Sequence, residues 1–172
     1  MNANNNKGAF VNAYTLEILM SLTDEFNDPD RTYESKRPIV AEALAEAGLK
    51  PIEVHNTLDW LDCFVAIDPN QLFLSDTAAA NTMRTYTDAE ANKLGYDGIA
   101  LLTHLYNLNV LDTLTREAVI DRAMACESEH LEPSQIRWIT YMVATNQLSK
   151  KVDSTWLEVI IMHSADKPIL TH

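Results

Sequence analysis

Apolar residues recur every three or four positions along most of this chain, which is the spacing of one face of an α-helix. The first such run extends from about Phe10 to Phe26 and ends at the turn-forming residues 27–30. A second helix is predicted from about Lys36 to Ala47, with Pro38 in its first turn. Gly48 follows where a helix commonly ends in a left-handed residue.

A third helix is predicted to begin with Pro51 as its first residue, so residues 36–61 resemble a helix-turn-helix. The following residues 64–74 could form a short β-hairpin that turns at residues 68–70. Three helices and a hairpin would make the first part of the chain winged-helix-like.

The second half of the chain opens with a clear helix start. Thr87 and Glu90 have the spacing of a capping box, in which the Thr hydroxyl and the Glu carboxylate each accept a backbone N–H. A helix is therefore predicted from Asp88 to Leu94, where Gly95 ends it. The further predicted helices span residues 98–107, 115–126, 133–146 and 156–163.

These elements predict a mainly α fold built from two stacked small helical units. The first unit is expected to be winged-helix-like and to span residues 10–74, and the second to span residues 87–165. Residues 75–86 are small and polar and are predicted to be the linker. Residues 1–9 are predicted to be a disordered tail and residues 166–172 a loose one.

Composition narrows the possible functions. The chain has 172 residues, 25 of them acidic and 13 basic, for a formal charge of −12. That balance argues against a general nucleic-acid surface, which needs clustered Lys and Arg, and against anionic membranes. Two cysteines, no signal peptide and no apolar run of about 20 residues predict a soluble cytoplasmic protein.

Candidate catalytic and metal-binding residues are sparse. His55 and Asp59 lie one turn apart on the third helix, and His104 is a further nominal candidate for an enzyme site. Cys126 and His130 also lie four residues apart, but neither pair has a third ligand at motif spacing, so a polar helix face or a structural thiol is favoured. No catalytic residue, metal or cofactor is predicted.

Four residues are candidates for an interaction with a partner. Arg84 could bind an anionic group of a partner or, more commonly, helix C-terminal carbonyls, and Tyr86 lies beside it. Trp138 and Trp156 are expected to fill the core. The helix of residues 136–143 is apolar on more than one side and is expected to be central, with a subunit interface as the alternative for its surplus apolar face or for the Trp156 helix. The chain could therefore form a homo-oligomer.

The order of several short motifs resembles the Smg family of bacterial proteins, whose function is uncharacterised. The resemblance covers roughly Leu16 to Gln147. It is carried by residues 16–20, 47–49, 58–61, 83–90, 109–111, 116–122 and 136–138. This chain departs from the family by a polar N-terminal extension of about a dozen residues. The family has no established catalytic residues to transfer, and its gene neighbourhood implies an association with DNA metabolism.

The sequence therefore favours a non-enzymatic helical adaptor or regulator that binds another protein. A first alternative is a nucleic-acid-binding protein that uses the wing or a locally assembled basic patch. The third helix disfavours DNA reading, because residues 51–62 contain no Lys or Arg while Glu53, Asp59 and Asp62 are acidic. A second alternative is an enzyme whose site forms only in the folded chain.

Overall fold

The computed structural model describes residues 11–28, 30–65, 84–148 and 154–163. Within these ranges the protein is mainly α, as predicted, and the only β-type pairing is an isolated bridge between Val11 and Cys126. The described helices are α1 (Ala13–Ser21), α2 (Thr23–Asn27), α3 (Tyr33–Glu46), α4 (Pro51–Val65), α5 (Asp88–Asn107), α6 (Thr113–Met124), α7 (Pro133–Leu148) and α8 (Ser154–His163). The chain divides into two compact units, one drawn from Met1–Cys63 with Ala125–Ser128 and the other from Phe64–Met124 with Glu129–His172.

In the first unit, α1, α2 and α3 pack against one another around buried aliphatic residues. The predicted single helix of residues 10–26 is instead two helices, because the backbone leaves the helical path at Leu22. The Nζ atom of Lys36 donates to the Phe26 backbone oxygen at 2.7 Å and so satisfies a carbonyl at the end of α2. The helical spacing of the apolar residues did not reveal this break.

The turn between α3 and α4 has the predicted chemistry. Gly48 adopts the left-handed φ of 91°, and Pro51 is the first residue of α4. The prediction placed Pro38 in the first turn of α3, but the helix begins earlier, at Tyr33, so Pro38 lies in its interior. Phe64 and Val65 continue α4, and the rest of the proposed hairpin, residues 66–74, lies outside the described residues.

In the second unit α7 is the central helix and packs against α5, α6 and α8. Its central position was expected from its apolar residues on more than one side. The side chains of Ile136 and of every residue from Trp138 to Ala144 are buried. Pro133 begins α7 as predicted.

Helix α5 bends at Gly95, the predicted end of its first segment. Gly95 has φ 63° and ψ 179°, a combination that is essentially restricted to glycine, and the helix resumes after it. The Thr87–Glu90 capping box starts the helix as predicted, with both reciprocal hydrogen bonds present. The predicted tails and most of the predicted linker lie outside the described residues, so the predicted domain limits stay predictions.

Candidate functional site

The Arg84 side chain connects the start of α5 to α6. Its two terminal nitrogens donate to the Glu90 carboxylate at 3.1 and 2.9 Å. Nε and Nη2 donate to the two carboxylate oxygens of Glu117 at 2.6 and 2.8 Å. Arg84 is thus held by two bidentate carboxylates, the strongest geometry available to a guanidinium.

The same Glu90 carboxylate also caps α5. It accepts the Thr87 backbone N–H at 2.9 Å, while the Thr87 hydroxyl accepts the Glu90 N–H at 3.3 Å. The hydrogen bonds from Arg84, aided by the Thr87 backbone N–H, lower the pKa of Glu90 from 4.5 to about 2. The hydrogen bonds to Glu117 and Glu90 in turn raise the pKa of Arg84.

Two arginine–tyrosine pairs flank these carboxylates. The Arg84 guanidinium lies over the Tyr86 ring, 4.5 Å from its centroid, and the Arg116 guanidinium lies over the Tyr106 ring at 4.3 Å. Tyr86 is half-buried, and this burial raises the pKa of its phenol. Together Arg84, Glu90, Glu117 and Arg116 carry equal numbers of positive and negative charges; we call these four side chains with Tyr86 and Tyr106 the arginine cluster.

Arg84 and Arg116 differ in how fully they are bonded. Arg84 has hydrogen bonds from Nε and from both terminal nitrogens, so an external anion would have to displace Glu90 or Glu117. Arg116 is only 8% exposed, and its Nε has no hydrogen-bond partner among the described residues. Its nearest carboxylate oxygen, Oε1 of Glu117, lies 3.6 Å away and already accepts from Arg84. The interaction role of Arg84 and Tyr86 stays a prediction.

Arg116 belongs to a motif that carries the family resemblance, but it was not a candidate functional residue. A signal for it exists: on α6 it shares the helical spacing of the buried residues Thr115, Val119, Ile120 and Ala123. An arginine in phase with the buried face of a helix is unusual, since this residue type is almost never fully buried without a partner.

The two candidate tryptophans have opposite environments. Trp138 on α7 is 1% exposed and belongs to the core, as expected. Trp156 on α8 is 48% exposed, and Val159, one turn later, is 55% exposed. Whether either contacts a partner stays a prediction.

Helix α8 is apolar on two sides. Leu157 and Ile161 are fully buried on the side that packs against α7. Trp156, Val159 and His163 follow one another at helical spacing on the opposite side, where all three are exposed. We call these three residues the α8 outer face.

The candidate enzyme residues lie in different units of the fold. His55 is exposed and pairs with Asp59, with Nε2 to Oδ2 at 3.4 Å, on α4 of the first unit. His104 is half-buried in the last turn of α5, in the second unit. The described residues contain no group of three or more His, Cys, Asp or Glu side chains placed to hold a metal ion. An enzyme remains an untested alternative.

The Cys126 and His130 pair is also explained locally. Cys126 is buried and pairs through its backbone with Val11. The Nδ1 atom of His130 lies 3.0 Å from the backbone oxygen of Asn92, and its ring lies against Gly95. Each of the two residues therefore makes contacts that are typical of a structural side chain.

The helix-turn-helix segment carries little uncompensated positive charge. Asp62 on α4 accepts the Tyr33 hydroxyl at 2.7 Å and pairs with Arg37 at 3.3 Å, so this arginine of α3 is neutralised. Burial, followed by the hydrogen bond to Asp62, raises the pKa of Tyr33. Direct nucleic-acid binding stays an alternative without a basic surface on this segment to support it.

No helix among the described residues is long and apolar enough to cross a membrane. The described residues form a mainly helical fold with an exposed apolar face on α8 and a partly buried cluster of arginines and carboxylates. Sequence relatives identify its family. The family described as "Protein of unknown function (DUF494)" matches residues 15–170, and this chain belongs to it.

The relatives carry the name expected from the short motifs. A "Protein Smg homolog" of Thioalkalivibrio sulfidiphilus is 32% identical over 149 residues, which are 87% of this chain and 93% of the relative. Proteins of the same name from Stenotrophomonas maltophilia and Xanthomonas campestris are each 27% identical over 154 residues, or 90% of this chain and 96% of each relative. The Smg family resemblance is therefore confirmed. No solved structure matches the chain.

Proposed function

We propose that this protein is a non-enzymatic helical adaptor that binds another protein through the α8 outer face. The observation that carries the proposal is the exposure of Trp156 and Val159, at 48% and 55%, on a helix whose other side is fully buried. Fully burying a large apolar side chain stabilises a protein by about 1.5–3 kcal/mol, and these two side chains forgo roughly half of that. A partner that covers them would recover it.

Tryptophan at the centre of a contact is typical of the few residues that dominate binding energy. The two other tryptophans, Trp60 and Trp138, are 0% and 1% exposed. Trp156 is therefore the tryptophan of the described residues that can contribute to association without first being pulled from the core.

Electrostatics favours another protein over a second copy of this chain. Each copy carries a formal charge of −12, so two copies repel each other before they touch. A partner without this excess of negative charge would not meet the same repulsion.

The proposal includes the association with DNA metabolism that the Smg family implies, but through a protein partner. Direct contact with a DNA duplex is disfavoured by the acidic helix α4. Its Asp62 pairs with Arg37 of α3 and offsets the charge of that arginine.

Site-specific photocrosslinking in cells of the native organism tests the proposal. A photoreactive amino acid at Val159 should give a covalent adduct with one protein reproducibly, and adding Trp156→Ala should reduce that adduct at least fivefold. The matched control places the same amino acid at Asp121, whose side chain is 70% exposed on α6 of the same unit. The control should give no such adduct.

Three results would overturn the proposal. The first is the absence of any adduct at Val159 when the labelled protein is folded and abundant. The second is an equal adduct at Asp121, and the third is an adduct with the mass of two copies of this chain, which would indicate a homo-oligomer interface.

A further inference from the structure

Arg116 is a buried arginine whose Nε has no hydrogen-bond acceptor in the described part of the chain. The Nε of Arg116 is the one buried side-chain nitrogen or oxygen there without a hydrogen-bond partner. Leaving a buried charged donor without an acceptor costs several kcal/mol, so natural proteins usually supply a partner, an ion or a water molecule. Among the described residues, Arg116 has an aromatic face and a carboxylate that is already bonded to Arg84.

That carboxylate cannot serve both arginines well. Glu117 Oε1 lies 2.6 Å from Arg84 Nε but 3.6 Å from Arg116 Nε, beyond hydrogen-bond distance. Its other oxygen, Oε2, accepts from Arg84 Nη2 at 2.8 Å. Arg116 is thus a cation that is held in place but whose donors are not used.

The holding contacts are those of a preorganised binding group. The Tyr106 ring lies 4.3 Å from the Arg116 guanidinium carbon and fixes its plane. The Arg116 side chain is 9% exposed although its Nε is fully buried, so an external group can reach the exposed part of the guanidinium but not Nε itself. Leu108, two residues beyond Tyr106, is 51% exposed and provides apolar surface nearby in the chain.

We propose that Arg116 is the centre of an anion-binding site that takes the side-chain carboxylate of an acidic residue in a partner protein. A carboxylate matches the planar fork of a guanidinium, as Glu90 and Glu117 already show at the neighbouring Arg84. Arginine and tyrosine are both enriched in protein interfaces. The assignment to a partner protein rests on the proposed function, whereas the carboxylate site itself does not.

The site is distinct from the α8 outer face and also from Arg84, the arginine that the sequence favoured. A ligand at Arg84 would have to break two bidentate pairs, whereas a ligand at Arg116 adds hydrogen bonds that the fold leaves unmade. The cluster of two arginines and two glutamates has no net charge, so it does not itself repel an incoming carboxylate.

Titration of the ¹⁵N-labelled protein, followed by the assigned Arg116 Nε–Hε NMR signal, tests the site. The probes are Nα-acetyl-aspartate α-amide, acetate, inorganic phosphate and chloride at matched ionic strength. The two carboxylates should move the Arg116 signal saturably, with chloride at least tenfold weaker. Nearby amide signals should respond in parallel.

Arg116→Lys keeps the charge but loses the planar fork, so it should raise the midpoint of the carboxylate titration at least tenfold. Arg137→Lys is the matched control, since Arg137 is a half-buried arginine on α7 of the same unit, and its midpoint should not change. If Arg116→Lys does not fold, the wild-type Arg116 signal still decides the question.

An Arg116 signal that carboxylates do not move, or that chloride moves equally, would overturn the site and leave Arg116 a purely structural counter-charge. A response to phosphate alone would overturn the choice of a carboxylate. If carboxylates bind at Arg116 but no adduct forms at Val159, the assignment to a partner protein would be overturned. The carboxylate site itself would stand, so failure of the proposed function can be told apart from failure of the site.

Discussion

Replacing Glu90 with glutamine removes the charge that Glu90 contributes to the arginine cluster. Glutamine keeps one side-chain oxygen, which can accept the Thr87 backbone N–H, so the cap of α5 survives. The substitution removes the negative charge that pairs with Arg84 and turns the other oxygen that accepts from Arg84 into an amide NH2, which cannot accept.

The expected magnitude follows from the pKa of Glu90. The fall from 4.5 to about 2 means that folding favours the charged carboxylate. At about 1.36 kcal/mol per pKa unit, this difference corresponds to roughly 3 kcal/mol of stability. The Glu90 side chain is 17% exposed, so screening by water is limited, and Glu90→Gln should cost about 2–3 kcal/mol at pH 7.

The loss has a defined pH dependence. Because the folded-state pKa is depressed, the contribution of Glu90 is fully present above pH 4.5 and is lost as the pH falls toward 2. The free energies of unfolding of the wild type and of Glu90→Gln should therefore converge in that range. Urea titrations at several pH values between 7 and 2.5 measure this difference.

Glu158→Gln is the matched control, because Glu158 is exposed on α8. It should change the free energy of unfolding by less than about 0.5 kcal/mol, independently of pH. A difference below about 1 kcal/mol for Glu90→Gln at pH 7, or one that does not shrink below pH 4.5, would refute the reasoning.

Four further substitutions test other parts of the fold by chemical denaturation. Gly95→Ala should cost about 2 kcal/mol, because φ 63° with ψ 179° strains any residue with a Cβ; a neutral result would contradict the kink. Trp138→Ala should cost about 3–5 kcal/mol and Trp156→Ala under about 1 kcal/mol, and equal losses would contradict their different burial. Tyr33→Phe should cost about 1 kcal/mol through the lost hydrogen bond to Asp62, and no change would show that Arg37 alone suffices.

Features set by neighbouring residues were predictable from the sequence. The capping box at Thr87, the break at Gly95 and the proline starts of α4 and α7 each depend on a few adjacent residues. The central position of α7 followed from its apolar residues on more than one side. Local signals of this kind need no knowledge of the tertiary fold.

Features set by distant residues were not predictable. Glu117 lies 33 positions after Arg84, and no spacing rule links a residue before one helix to a carboxylate on another. The carbonyl of Phe26 at the end of α2 is likewise bonded by Lys36, on a different helix. Trp156 was expected in the core like Trp138, but it is 48% exposed, because its exposure depends on which side of α8 packs against α7.

The central claim is that the protein acts by binding a partner through side chains that the fold leaves exposed. The most direct test measures the Kd of the protein captured at Val159 for the wild type and for Trp156→Ala. The proposal predicts at least a tenfold weaker Kd for Trp156→Ala, while its free energy of unfolding changes by under about 1 kcal/mol. An unchanged Kd for a folded Trp156→Ala variant would contradict it.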